Sequence, residues 1–67
     1  MRKEKQTPLL KLMYERKKAG LTQGQLGERV GVKGFAVYQW EKGSRQPNAE
    51  MLNKLASALS CKVDDII

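Results

Sequence analysis

The sequence predicts an all-α single domain built from five short helical segments, with no strands. Three observations carry this prediction. The chain has 67 residues, which suffices for one small domain because single domains rarely run shorter than about 50 residues. Apolar residues recur at steps of three and four, the period of one helix face. Gly, Pro, Ser and Thr residues divide these stretches where helices begin and end.

The composition excludes several other classes of protein. Hydrophobic residues make up 40% of the chain and charged residues 30%, which is usual for a folded domain and too apolar for a disordered one. No apolar run approaches the roughly 18 residues of a membrane helix, and the N-terminal MRKEKQTP has no apolar signal-peptide core. One cysteine and no histidine argue against disulfides and the usual zinc sites. We expect a cytoplasmic protein that is not an enzyme and has no metal, cofactor or membrane partner.

The charge is distributed unevenly along the chain. Lys and Arg number 13 against 7 Asp and Glu, a formal net charge of +6. Residues 1–45 carry eleven basic and four acidic side chains, whereas residues 46–67 carry two basic and three acidic ones. A generally solvated basic surface would explain this pattern as well as a charged working face would. If there is a partner, an acidic polymer fits best, with nucleic acid ahead of an anionic membrane.

The first helix follows a polar stretch. Residues 1–7 have nothing to bury, so we expect a flexible basic tail that precedes a domain spanning residues 8–67. Pro8 suits the first turn of a helix, and Thr7 is positioned to cap it. Gly20 is expected to end this helix, because glycine readily adopts the backbone conformation that closes one.

The next two helices lie on either side of a short turn. Thr22 is expected to cap the second helix in a pattern close to a capping box, and Gly31 to end it. Residues 35–41 include types that favour strands, so a strand competes here. We predict a helix, because Val37 and Trp40 lie three apart and can face inward together. Trp40 is then a core residue.

The C-terminal third holds the last two segments. Asn48 is expected to cap the fourth helix. Its apolar stripe is the clearest in the chain and consists of Met51, Leu52, Leu55, Ala56 and Leu59. The fifth segment is a short turn that holds Val63, Ile66 and Ile67. Such an apolar end could pair with a second copy of the chain or with another protein.

The second and third helices have the order and spacing of a helix-turn-helix, in which the second helix of the pair enters the DNA major groove. Gly31 would supply the positive φ of the turn. Gly27 would be the small residue that lets the two helices cross closely. On spacing alone, the alternative is an ordinary corner between two helices with no role in DNA binding.

Many residues in one register resemble the helix-turn-helix of phage Cro and repressor proteins, the XRE family. The matching positions are Arg16, Leu21-Thr22-Gln23, Leu26, Gly31-Val32, Val37, Trp40-Glu41, Gly43, Pro47, Leu52, Leu55-Ala56 and Leu59. The resemblance covers about residues 9–67 and implies a compact five-helix, lambda-repressor-like DNA-binding domain. It also implies a small transcriptional regulator, a repressor above all, that binds a palindromic double-stranded DNA operator as a homodimer.

The resemblance implies roles for individual residues. The recognition helix would lie near residues 34–42, and the positions that approach base edges are Lys33, Gly34, Phe35, Tyr38 and Gln39. The positions that would hold phosphates are Gln23, Lys42, Ser44 and Arg45. Arg16 and Glu41 fall where the family often has a structural ion pair. The candidate dimer surface is the apolar end, with Val63, Ile66 and Ile67.

The start of the recognition helix departs from the family pattern. Lys33 replaces the usual capping Ser or Thr, and Gly34 has no side chain with which to bind a base. Phe35 could contact a thymine methyl group or pack sideways on its own domain. Gln39 is the best-placed reader, because its amide can pair bidentately with adenine. The alternative function on this scaffold is an antitoxin or partner-recruiting module, whose ligand is another protein.

Overall fold

Four α-helices and one 3-10 turn make up the fold in the computed structural model, which describes residues 7–67. The helices are α1 (Leu10–Lys18), α2 (Gln23–Val30), α3 (Gly34–Lys42) and α4 (Ala49–Ala58), and the 3-10 turn is Val63–Asp65. Across this described range there is no strand, and none of its helices is long and apolar enough to cross a membrane. Except for Thr7, the predicted tail lies outside the described residues.

The prediction of an all-helical fold is confirmed, but the prediction of a fifth helix is wrong. The segment after α4 is too short for repeated i to i+4 hydrogen bonds and closes a single tight turn instead. The backbone N–H of Ile66 donates to Val63 O at 3.0 Å. The Asp65 carboxylate accepts from the backbone N–H of Lys62, also at 3.0 Å. This side-chain bond to the backbone favours a turn.

The start of α1 also differs from the prediction. The helix begins at Leu10, with Leu9 and not Thr7 at the N-cap position and no side-chain cap. Leu9 is buried, and its backbone N–H donates to Trp40 O at 3.2 Å. A hydrogen bond to the end of α3 therefore replaces the local cap. The residues near Pro8 could not predict this bond, because its acceptor lies far away in the sequence.

The other helix ends follow local sequence signals. Thr22 Oγ1 accepts from the backbone N–H of Gln25 at 3.0 Å, and Gln25 Oε1 accepts from that of Thr22 at 2.9 Å, which completes a capping box. Asn48 caps α4 through Oδ1. Gly31 and Gly43 close α2 and α3 with φ of 84° and 89°, in the left-handed region that glycine tolerates.

All four helices and the 3-10 turn contribute to one core. Its buried residues are Leu9, Leu12, Leu26, Val30, Val37, Trp40, Leu55, Ala56, Leu59 and Ile66. Ile66 is fully buried, which corrects its assignment to a dimer surface: its side chain completes the core where the 3-10 turn covers α4. Val63 is half-buried, whereas Ile67 is 56% exposed.

Gly27 lies where α2 meets the turn that leads to α3. A Cβ at this position would lie 2.6 Å from Val32 O and 3.0 Å from the carbonyl carbon of Lys33. The tight contact is thus with the backbone of the turn. A Cβ on Gly24, in the first turn of α2, would find nothing closer than Thr22 Oγ1 at 3.9 Å.

These contacts predict opposite effects of two alanine substitutions. Gly24→Ala should raise the free energy of unfolding by up to about 1 kcal/mol, because alanine loses less backbone freedom in a helix. Gly27→Ala should lower it, because the new methyl group collides with backbone that cannot move cheaply. Thermal melts of both variants measure the difference. Equal gains would contradict the tight contact at Gly27.

Candidate nucleic-acid interface

α3 has one face in the core and one in solvent. Val37 and Trp40 are buried beneath it, whereas Phe35 is 66% exposed and Tyr38 is 40% exposed. Lys42 is exposed as well. Residues three, four and seven apart lie on one side of a helix, so burial of the inner residues forces these side chains outward.

We define the α3 face as Phe35, Tyr38, Gln39 and Lys42. The rings of Phe35 and Tyr38 stack, with centroids 5.9 Å apart and planes inclined by 23°. Lys42 Nζ lies 5.6 Å from the centroid of the Tyr38 ring, within the range of a cation–π contact. Phe35 therefore packs on its own helix and still presents most of its surface outward.

Gln39 lies half-buried at the edge of the α3 face, beside the loop that follows α3. The backbone carbonyl oxygen of Gln39 accepts hydrogen bonds from the backbone N–H groups of Gly43 at 3.0 Å, Ser44 at 2.9 Å and Arg45 at 3.3 Å. These bonds fold the loop back onto the helix. As a result, Gln39 and Arg45 line the same groove between α3 and the start of α4.

A buried ion pair joins α1 to α3. Arg16 Nε lies 2.7 Å from Glu41 Oε2, and Arg16 Nη2 donates to Glu41 Oε1 at 3.1 Å, a bidentate arrangement. Arg16 Nη1 also donates to Leu21 O at 2.8 Å. Arg16 is 7% exposed and Glu41 5%. Across residues 7–67, no buried side-chain nitrogen or oxygen lacks a hydrogen-bond partner.

Gln23, at the start of α2, belongs to the same network. Its Nε2 donates to Glu41 Oε1 at 3.0 Å, so one N–H of the amide is used inside the protein. A glutamine amide has two such donors, which leaves one for an external acceptor. The family resemblance implied the Arg16–Glu41 pair but gave Gln23 only a phosphate contact, and no local sequence pattern indicates the bond between Gln23 and Glu41.

The exposed charges at the N-cap of α3, on α3 itself and in the loop that follows it are positive. Lys33, Lys42 and Arg45 are all exposed, and the one acidic residue of α3, Glu41, is buried against Arg16. Basic side chains can bind the charged backbone of a polyanion. The rings and the amide of the α3 face can contact methyl groups and hydrogen-bonding edges in the interior of the same polymer. Nucleic acid has this chemistry.

Cys61, in the segment after α4, has the one resolved pKa shift in the described part of the chain. Burial raises the pKa of its half-buried thiol, and the nearby carboxylates of Glu15 and Asp65 raise it further against a small opposing effect of Lys18. The thiol stays protonated at neutral pH and is a weak nucleophile. Within residues 7–67, no three His, Cys, Asp or Glu side chains are grouped so as to hold a metal.

A family model described as Helix-turn-helix matches residues 12–66, which is most of the chain and includes every buried residue of α2 and α3. This chain belongs to the helix-turn-helix family. The match confirms the resemblance to Cro and repressor proteins of the XRE type that the sequence analysis identified.

Two curated relatives and one solved structure are similar to this helix-turn-helix chain. Repressor protein C2 of Salmonella phage P22 is 39% identical over 57 residues, which cover 85% of this chain and 26% of the relative. The HTH-type transcriptional activator BcrR of Enterococcus faecalis is 35% identical over 57 residues, which cover 85% of this chain and 28% of the relative. The chain therefore spans about a quarter of the length of these two relatives.

The solved structure is that of the P22 c2 repressor protein in complex with the synthetic operator 9T. It superimposes on this helix-turn-helix chain with a TM-score of 0.80 at 38% identity and covers 91% of this chain and 96% of the other. The architecture of helices α1 to α4 is thus shared with a protein that has been solved on DNA.

Because the Arg16–Glu41 pair is buried and bidentate, removal of one charge should destabilise this helix-turn-helix domain. We expect Glu41→Gln to lower the free energy of unfolding by about 3 kcal/mol or more, since Arg16 is left as an unpaired buried charge. Urea denaturation measures the loss. The apolar double variant Arg16→Met/Glu41→Leu should recover much of it.

The control is the pair in which Lys18 Nζ lies 3.4 Å from Glu15 Oε1, with the Lys18 side chain 60% exposed and the Glu15 side chain 15% exposed. Glu15→Gln should cost less than Glu41→Gln, because the cation that it leaves without a partner, Lys18, is exposed and stays solvated, whereas Arg16 is buried. Equal losses for Glu15→Gln and Glu41→Gln would refute the structural role of the buried pair.

Proposed function

We propose that this chain binds double-stranded DNA sequence-specifically and regulates transcription as a repressor, with α3 in the major groove. The observation that carries the proposal is the shared architecture with the P22 c2 repressor solved in complex with an operator. α3 is the second helix of the motif, the one that enters the groove in helix-turn-helix proteins. The relative that is 39% identical over 57 residues is a repressor, which supports repression.

The α3 face supports a mixed apolar and hydrogen-bonded readout. The Gln39 amide can donate to and accept from adenine in the major groove. The exposed edge of the stacked Phe35 and Tyr38 rings offers an apolar surface to thymine methyl groups. Lys33 and Gly34 begin the helix at the point where its N-terminal turn would approach the bases.

Phosphate contacts would come from both sides of this face. Lys42, Ser44 and Arg45 are exposed at the end of α3 and in the loop held against it. On the other side, Gln23 would use its second amide N–H, assisted by the unpaired backbone N–H groups at the start of α2. Such contacts position a protein on DNA without reading sequence.

We also propose that the chain binds a palindromic operator as a homodimer. The exposed Ile67 and the half-buried Val63 remain available for pairing at the C-terminal end. Ile66 is unavailable, because it is fully buried in the core. For the same reason, Ile66 cannot contact a second protein. The alternative function as an antitoxin or partner-recruiting module therefore loses the central residue of its apolar end.

Selection of bound duplexes from a random DNA pool at near-physiological salt, followed by sequencing, tests the proposal. We expect enrichment of a palindrome with half-sites about one helical turn apart, because a symmetric dimer presents two copies of α3. Salt-sensitive binding without any enriched sequence, or no binding at all, would overturn the proposed function.

Two substitutions should separate readout from phosphate contact. Gln39→Ala should relax the base preference at one position of each half-site, at a cost of about 1–3 kcal/mol. Arg45→Ala should weaken binding to all sequences alike and reduce the salt slope by about one. Repeated selection and salt titrations of both variants are the measurements. An unchanged preferred sequence with Gln39→Ala would show that Gln39 is not a reader.

Replacement of thymine by uracil tests the role of Phe35, because uracil lacks only the 5-methyl group. If Phe35 contacts such a methyl, uracil at that operator position should weaken wild-type binding by an amount close to one buried methyl group, about 0.8 kcal/mol. The same replacement should have no effect on Phe35→Ala. Equal effects of uracil on both proteins in affinity titrations would refute the contact.

A further inference from the structure

Gly34, the first residue of α3, lies directly against the first turn of α2. A Cβ built on Gly34 would lie 2.9 Å from both the Cα and the backbone nitrogen of Gly24, and 3.3 Å from the carbonyl carbon of Gln23. The neighbouring atoms are backbone, so they cannot turn aside as a flexible side chain could. The backbones of α2 and α3 thus meet with no side chain between them.

Position 34 needs glycine because there is no room for a side chain, and not because its backbone has a positive φ. The positive-φ glycines of the described chain are Gly20, Gly31 and Gly43, so Gly34 has a backbone that any residue can adopt. Any other residue at this position would force the two helix starts apart by roughly half an ångström to restore an ordinary contact. Close-packed interiors transmit such a displacement to their neighbours.

The contact joins the two parts of the proposed interface. On the α2 side it touches the peptide that follows Gln23, the proposed phosphate anchor, whose amide is already held by Glu41 of α3. On the α3 side it fixes the turn that precedes Phe35 and the rest of the α3 face. Binding sites need their groups held within about 0.5 Å of the productive geometry, which is the size of the displacement that a Cβ would impose.

We propose that Gly34 is a positioning residue for sequence recognition: by lacking a side chain, it sets the distance between the phosphate anchor at the start of α2 and the reading face of α3. This inference rests on the proposed DNA-binding function and adds a specificity determinant that makes no base contact of its own. Gly34 acts through Gln23 on one side and through the α3 face on the other.

The test compares Gly34→Ala with Gly24→Ala. Gly24 is the residue that Gly34 touches, but a methyl group added to Gly24 points into open space, so this variant is a matched control. Affinities are measured for the duplex that wild-type protein selects and for a scrambled duplex of equal length and composition. Gly34→Ala is also made in the Gly24→Ala background, where the helix-propensity gain supports folding. Thermal melts establish that each protein is folded at the assay temperature.

We expect Gly34→Ala to weaken binding to the selected duplex about tenfold, as when one good base contact is lost. Its affinity for the scrambled duplex should change less than about twofold, because non-specific binding depends on phosphate charge and tolerates small displacements. Gly24→Ala should keep the ratio of the two affinities, because its methyl group does not separate α2 from α3 and any phosphate contact that it disturbs is shared by both duplexes. In a Gln23→Ala background, the effect of Gly34→Ala on the selected duplex should shrink, because the anchor that it displaces is gone.

An unchanged ratio of the two affinities in Gly34→Ala would overturn the inference, whether neither affinity falls or both fall by the same factor. A full effect of Gly34→Ala in the Gln23→Ala background would overturn the route through Gln23. A wild-type protein that prefers no duplex would instead overturn the proposed function itself. The failures are distinguishable, because the wild-type comparison is independent of position 34.

Discussion

The orientation of α1 against α3 depends on the way in which two opposite charges are satisfied in the interior. Arg16 and Glu41 meet in a bidentate pair, a further Arg16 N–H donates to Leu21 O, and Glu41 Oε1 also accepts from the Gln23 amide. Each bond runs between different segments, so the pair fixes α1, the start of α2 and α3 together. An apolar contact of equal size would hold them with less directional precision, because a hydrogen bond weakens steeply when its angle is bent.

The same network gives α3 one buried side and one exposed side. Burial of Glu41 removes the one negative side chain of the helix from its surface, and burial of Val37 and Trp40 anchors the helix on the core. The opposite side is left to rings, an amide and cations. The residues that stabilise the fold and those proposed to read DNA therefore occupy different faces of nine residues, and substitutions on one face need not disturb the other.

Sequence reasoning succeeded where a rule is local and failed where contacts are long-range. The caps at Thr22 and Asn48 were predictable, because each bonds to a backbone group three residues away. Burial of Ile66 was not, since the apolar residues at the C-terminal end fit a core and a pairing surface equally well. The Gln23–Glu41 bond likewise depends on how α2 packs on α3. The XRE resemblance gave the candidate interface by position, but it could not show that Gly34 touches α2.

The stacked rings of Phe35 and Tyr38, with Lys42 above the second ring, have a consequence for the thermodynamics of binding. Long side chains that move freely before association lose rotamer entropy when a partner immobilises them, at about 0.5–1.5 kcal/mol each. Side chains that already rest on one another have surrendered part of that freedom during folding. The outer surface of α3 is thus partly preorganised, and less side-chain entropy remains to be lost when a partner covers it.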